Sequence, residues 1–340
     1  MASIYPGRFI LTTAPGDEQI AFNETRAVDE TAAFVMRLGG GEVLAESQSG
    51  FRGISGGFKK SPPVFIRHIA PADIEAVKPF EVAEAVIGGL DKTRVFSVQA
   101  RASNEAEARA FQSELAGLLV NRGYELDVKN PHQIISAYLK NGRVLAGASC
   151  DGDNLSDWAG GRIRFKKDDK MISRAEFKLL EAAHVFKLSF KAGGRALDLG
   201  AAPGGWSRVL AGYGMSVAAV DPAPLDSSLS AVDSIRHYKT TAGDFIKNHL
   251  EERFDIIVND MRMDARLSAE VLISAKTLLN DGGFCVMTLK LAEKNKQKSC
   301  ARALAALTGH YEATGARQLF HNRSEVTAVL TPAVNKRPRA

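Results

Sequence analysis

The sequence predicts an α/β protein whose C-terminal half is a doubly wound, mostly parallel sheet preceded by smaller α+β units. Three observations carry this. From Arg195 onward, short apolar runs alternate with helix-period segments, the signature of strand–helix–strand units. The turn Gly200-Ala201-Ala202-Pro203-Gly204-Gly205 joins the first of those strands to a helix, and such a turn brings backbone close to a ligand without Cβ interference. Asp198, Asp221, Asp260 and Lys290 each close an apolar run, and ligands on open α/β sheets sit at the carboxyl ends of strands.

With 340 residues, 45% hydrophobic and 24% charged, the chain suits two or three domains with cores of their own. No apolar run approaches the ~20 residues that span a bilayer. Met1 to Phe9 lacks a basic-plus-apolar leader pattern, so a cytoplasmic location is expected. Cys150, Cys285 and Cys300 are odd in number and show no metal-ligand spacing, which predicts buried, reduced thiols and no metal site. A net charge of +5 leans toward a polyanionic partner.

Residues 1–63 read as a small α+β unit: a strand over Arg8 to Ala14, helix-like spacing from Asp17 to Arg37, a break at Gly39-Gly40-Gly41, and a loop-like stretch punctuated by Gly53, Gly56 and Gly57 before a boundary near Pro62. Residues 64–150 open with a strand at Val64 to Ile69 and a helix from Pro71 to Gly88 broken at Pro79. Arg94 to Arg101 alternates as a strand, and Asn104 with Glu107 makes a capping arrangement. Phe111, Leu115, Leu118 and Leu119 then repeat at helical spacing, and Asn141-Gly142 marks a hairpin. Residues 151–170 read as a linker. Arg162, Arg164, Lys166, Lys167, Lys170, Arg174 and Lys178 outnumber Asp168, Asp169 and Glu176 around it, a solvated face or a phosphate contact. Residues 333–340 form a basic tail with Lys336, Arg337 and Arg339.

Residues 171–332 hold the chemistry. A helix over Ser173 to His184 precedes strands at Arg195–Leu199, Met215–Val220, Phe254–Asn259 and Gly283–Leu289, with helices at Ala269–Leu279 and Lys298–Leu307. Tyr311–Leu319 and Glu325–Leu330 close the chain as an antiparallel pair. Glycines at 200, 204 and 205 miss the G-x-G-x-x-G spacing of a pyrophosphate cradle. The turn suits a ligand with a nucleoside and a carboxylate, such as S-adenosylmethionine (SAM). Asp221, ending the second strand, is placed to accept from ribose hydroxyls. A rim Asp–Lys ion pair is the plain alternative for Asp260 and Lys290.

Two resemblances extend this reading. Phe96 to Asn104 with the closing hairpin resembles a THUMP domain, which implies an RNA-holding unit. Ser173 to Leu179, Leu197 to Trp206, Gly243-Asp244-Phe245, Asn259-Asp260-Met261, Thr288 to Leu291 and Arg323 to Val326 resemble the successive motifs of the FtsJ-like ribose 2′-O-methyltransferases. That resemblance implies a Rossmann-like, SAM-dependent methyltransferase domain and a lysine–aspartate–lysine–glutamate tetrad at Lys178, Asp260, Lys290 and Glu325. Lys178 to Phe186, Leu289-Lys290-Leu291 and Ala316 to His321 narrow it to the branch that modifies large-subunit ribosomal RNA and carries an N-terminal THUMP unit. Two departures stand out: Arg262-Met263 follows Asp260-Met261 where Ala-Pro is common, and Ala202 stands where that branch tends to have Cys.

A ribose hydroxyl must lose its proton as it attacks a sulfonium methyl, and a lysine takes that proton only if neutral, well below its ordinary ~10.4. Burial and a second cation favour the neutral form, and carboxylates oppose it. By the resemblance Lys290 is the base, with Lys178, Asp260 and Glu325 positioning it or the hydroxyl. The cofactor contacts implied are Gly200, Ala202, Pro203, Gly204 and Gly205 at the methionine end, Asp221 at the ribose, Asp244 at the adenine amine, and Ser173 and Asp260 at the carboxylate or amino end. Trp206 is grouped with the turn, packing behind it. The expected partner is RNA, 23S ribosomal RNA or a large-subunit precursor, met by a monomer. A transfer-RNA methyltransferase of the same family and a non-catalytic RNA-binding or assembly factor are the alternatives.

Overall fold

Four antiparallel strands form the first sheet of the computed structural model, in the order β3-β4-β2-β5; β2 spans Arg8–Thr12, β3 Ala33–Gly39, β4 Glu42–Glu46 and β5 His68–Pro71. The structure describes residues 2–166, 168, 170–292 and 294–333, so residues 334–340 of the basic tail, Lys167 and Asp169 lie outside the described residues. Two expectations for this region give way. The helical spacing from Asp17 to Arg37 splits into α1 (Glu18–Val28) and β3, because Asp29 turns the chain by accepting from Thr31 and from the hydroxyls of Ser47 and Ser49. The glycine-punctuated stretch is a helix, α2 (Gly50–Lys60), burying Phe51, Ile54, Ser55 and Phe58. Those four share one helical face, and the packing of Phe51, Ile54 and Phe58 with Phe9, Leu11 and Val43 outweighs the weak propensity of its glycines.

The second sheet of this unit runs β1-β6-β9-β8-β7, with β1 at Ser3–Ile4, β6 Ile74–Ala76, β7 Phe96–Arg101, β8 Gln133–Lys140 and β9 Arg143–Cys150. The boundary expected near Pro62 falls inside the first sheet, since β5 pairs with β2. The helix expected from Pro71 is replaced by β6 and then α3 (Pro79–Ile87), with Pro79 at its first turn. Asn104 caps α4 (Glu105–Val120) through Ala106 N, 2.9 Å away. The expected linker is partly structure: Asn154 O accepts from Ile69 N at 3.0 Å, and Arg101 and Arg162 both reach the buried Glu42. This unit ends at Ile163.

The second unit, from Arg164, holds α5 (Ala175–Val185), β10 (Arg195–Leu199), α6 (Gly205–Gly212), β11 (Ser216–Val220), β12 (Ile235–Tyr238), α7 (Ala242–Asn248), β13 (Phe254–Asn259), α8 (Ala265–Ser274), β14 (Leu279–Lys290), α9 (Lys296–Leu307), β15 (Tyr311–Arg317) and β16 (Glu325–Pro332). Its seven strands are ordered β12-β11-β10-β13-β14-β16-β15. The first five pair in parallel; β16 runs antiparallel between β14 and β15. This is the doubly wound sheet the alternation predicts. Leu179, Leu210, Ile256, Val258 and Val286 share one core, while the alternate residues Ile257, Cys285 and Met287 are buried as well, so both faces are covered. Among the described residues no helix is long and apolar enough to cross a membrane.

Candidate active site

The antiparallel return of β16 is what assembles the site. It pairs Glu325, its first residue, with Lys290, the last of β14. Asp260 follows β13 directly, and Lys178 arrives from α5. Lys178 Nζ lies 2.7 Å from Glu325 Oε2 and 3.3 Å from Asp260 Oδ2. Lys290 Nζ lies 3.2 Å from Glu325 Oε1 and contacts Asp260 Oδ1. The four predicted residues therefore form one closed ring of two ammonium groups and two carboxylates. Their side chains are 16–19% exposed, which shields the ring yet leaves it reachable.

A fifth member escaped sequence reasoning. Thr288 Oγ1 donates to Asp260 Oδ1 and receives a hydrogen bond from Lys290 Nζ. Its signal is its position two residues before Lys290 in one strand, which puts both on the same face. Thr288 is fully buried, so its hydroxyl fixes the Asp260 oxygen against which Lys290 rests.

The glycine turn lies at the end of β10. Gly200 has φ +75°, and a Cβ there would meet Met261 Cγ at 2.3 Å. A Cβ on Gly205 would stand 2.5 Å from Ser173 Oγ and 3.1 Å from Glu176 Cγ. These glycines thus admit close approach of the chain's own segments, from the loop after β13 and from the start of α5. Gly205→Ala is expected to cost about 1–3 kcal/mol through this overlap, read as a lowered Tm.

Ser173 Oγ is buried and has no hydrogen-bond partner among the described residues, the kind of atom that a bound polar group would satisfy. Asp221 Oδ2 accepts from Ala202 N at 3.1 Å and Oδ1 from Ala223 N at 2.8 Å; each oxygen keeps a lone pair for a further donor. Asp244 accepts from Thr241 Oγ1 at 2.7 Å and is exposed at the start of α7. Trp206 packs behind the turn as expected: it is 3% exposed, its Nε1 donates to Ala175 O at 2.7 Å, and it belongs to the core, so its grouping with the cofactor contacts gives way. Beneath the turn, Asp198 is 1% exposed and accepts from Ser207 Oγ at 2.6 Å. Burial, with the nearby Asp260 and Asp221 charges adding to it, pushes its carboxyl up to about 7.

Residues 171–310 match the family of FtsJ-like methyltransferases. Ribosomal RNA large subunit methyltransferase M of Pseudomonas savastanoi is 30% identical over 239 residues, 65% of this chain and 64% of that protein. Its counterpart from Alkalilimnicola ehrlichii is 31% identical over 245 residues, 67% of this chain and 65% of that protein. The one from Shewanella pealeana is 30% identical over 263 residues, 71% of each chain. The chain belongs to the ribosomal RNA large subunit methyltransferase M family. It spans about two thirds of the length of the curated relatives it matches.

Proposed function

We propose that the protein transfers a methyl group from SAM to a ribose 2′-hydroxyl of large-subunit ribosomal RNA, a cytidine of 23S RNA by resemblance, with Lys290 as general base. The observation that carries this is the ring of Lys178, Asp260, Lys290 and Glu325 closed at the carboxyl ends of β13 and β14. Family membership and the names of the relatives support the RNA assignment. Ser173, the turn Gly200 to Gly205, Asp221 and Asp244 would hold the cofactor, and the unpartnered Ser173 hydroxyl supports that fit. When bound, SAM supplies an electrophilic methyl on a sulfonium.

The chain's own part is to orient the hydroxyl and take its proton. Lys290 Nζ accepts it; Asp260, braced by Thr288, and Glu325 aim that amine, and Lys178 bridges the same two carboxylates. Holding the reactants in line can supply ~7–11 kcal/mol of the barrier. Residues 64–150 serve as a THUMP-like RNA holder, and the protein works as a cytoplasmic monomer.

The test is incubation with tritiated SAM and large-subunit precursor RNA, followed by mapping of alkali-resistant linkages with and without the gene. Label in ribosomal RNA at one resistant linkage is expected. Label in transfer RNA alone would move the enzyme to the rival substrate, and RNA binding with no label anywhere would make it an assembly factor.

A further inference from the structure

The tetrad sums to zero charge, and Asp221, Asp244 and Asp264 add carboxylates at the same end of the sheet. Left alone, that end would repel a phosphodiester strand. Three arginines stand against this. Arg174, Arg262 and Arg323 are exposed, and among the described residues their side chains form no ion pair or hydrogen bond. Of the other arginines of this unit, Arg195 is committed to Glu252, Arg208 to Glu176 and Asp168, Arg266 to Glu270 and Arg253 to backbone carbonyls. Arg236 lies over the Tyr238 ring, and Arg302 in α9 is exposed and unpaired among the described residues, but neither adjoins a tetrad residue in the chain.

Arg174, Arg262 and Arg323 are not scattered. Arg174 precedes α5 by one residue and stands four before Lys178, so the two share a helix face. Arg262 follows Asp260 by two residues, and Arg323 precedes Glu325 by two. Two residues of chain span at most ~7 Å, so each guanidinium stems from the immediate border of a tetrad side chain, and the three come from three separate segments. An unpaired guanidinium in water is the group best suited to phosphate, by its forked donors and weak hydration.

We infer that Arg174, Arg262 and Arg323 form a three-point clamp on the phosphates that flank the target ribose, positioning the strand while the tetrad acts on the sugar. This rests on the reading of the crevice as an RNA methyl-transfer site. They are positioning residues: they grip the backbone and do not meet the reacting atoms.

The test measures binding of a fluorescein-labelled mixed-sequence oligoribonucleotide to the full chain over a range of salt concentrations. Each phosphate contact on a single strand contributes about 0.7 to the slope of log K against log salt. The triple variant R174Q/R262Q/R323Q is expected to lose about 2 from that slope. Arg195→Gln, at the opposite end of β10, should leave it unchanged, and KM for RNA should rise in the triple variant while KM for SAM holds. An unchanged slope, or an equal loss in Arg195→Gln, overturns the clamp even if methyl transfer to RNA is found. A reduced slope with no methyl transfer in the unaltered protein keeps the clamp and removes the catalytic reading instead. Circular dichroism of each variant identifies any loss caused by misfolding, and in that case single Arg→Lys variants, which keep charge but lose the fork, carry the comparison: a raised KM for RNA upholds the clamp, an unaltered one overturns it.

Discussion

Lys290→Ala is expected to lower methyl transfer about 10²–10⁴-fold, the range a positioned general base contributes, while calorimetric SAM affinity stays unchanged. Lys290 is the ammonium that touches Asp260, Glu325 and Thr288 together, whereas Lys178, among the described residues, touches only the two carboxylates. The assignment therefore separates the two lysines. In single-turnover transfer, Lys178→Ala should slow the reaction by less than Lys290→Ala does. Near-wild-type turnover in Lys290→Ala, or a larger loss in Lys178→Ala than in Lys290→Ala, would take the base role from position 290.

The second unit was legible because its signals were local and agreed with one another. β10, β11 and β13 are short, largely apolar runs buried on both faces, and a polar residue stands at or just after the end of β11, β13 and β14. What stayed hidden was weakly patterned. β12, Ile235–Tyr238, is a sheet edge with half-exposed residues, so it lacks the continuous apolar character of its neighbours. The first unit misled more, because tertiary packing decided against propensity. The glycines of α2 argue for a loop, yet Phe51, Ile54 and Phe58 anchor a helix. The regular spacing after Asp17 argues for one helix, yet the Asp29 turn cuts it.

The site divides in the same way. Lys178, Asp260, Lys290 and Glu325 were found as motif residues, but their convergence needed the register of β14 against β16. Thr288 opens one of the motifs but has no role there, because its role appears only once Asp260 is seen to lie beside it. Trp206 sits inside a conspicuous motif, and the indole N–H bonded to Ala175 O is a helix-to-helix contact that spacing does not announce.

Asp198 supplies the other large effect, on stability. Its carboxyl is raised from 3.8 to about 7 in the folded state. Between those values the native protein holds a proton that the unfolded chain has released, so stability falls as pH rises, by 1.36 kcal/mol per unit for this one group. The contribution is complete below about pH 4 and gone once pH passes about 7, on the order of 4 kcal/mol across the window. Asp198→Asn cannot ionise, and groups shared by both proteins cancel in the comparison. Its amide still accepts from Ser207 Oγ but brings two donors into a buried site, so its absolute stability is expected to be lower at acid pH. The readout is therefore the slope. Denaturation midpoints measured from pH 5 to pH 8 should fall more steeply for the wild type than for Asp198→Asn, and parallel curves would mean that the acid beneath the glycine turn is already charged at pH 5.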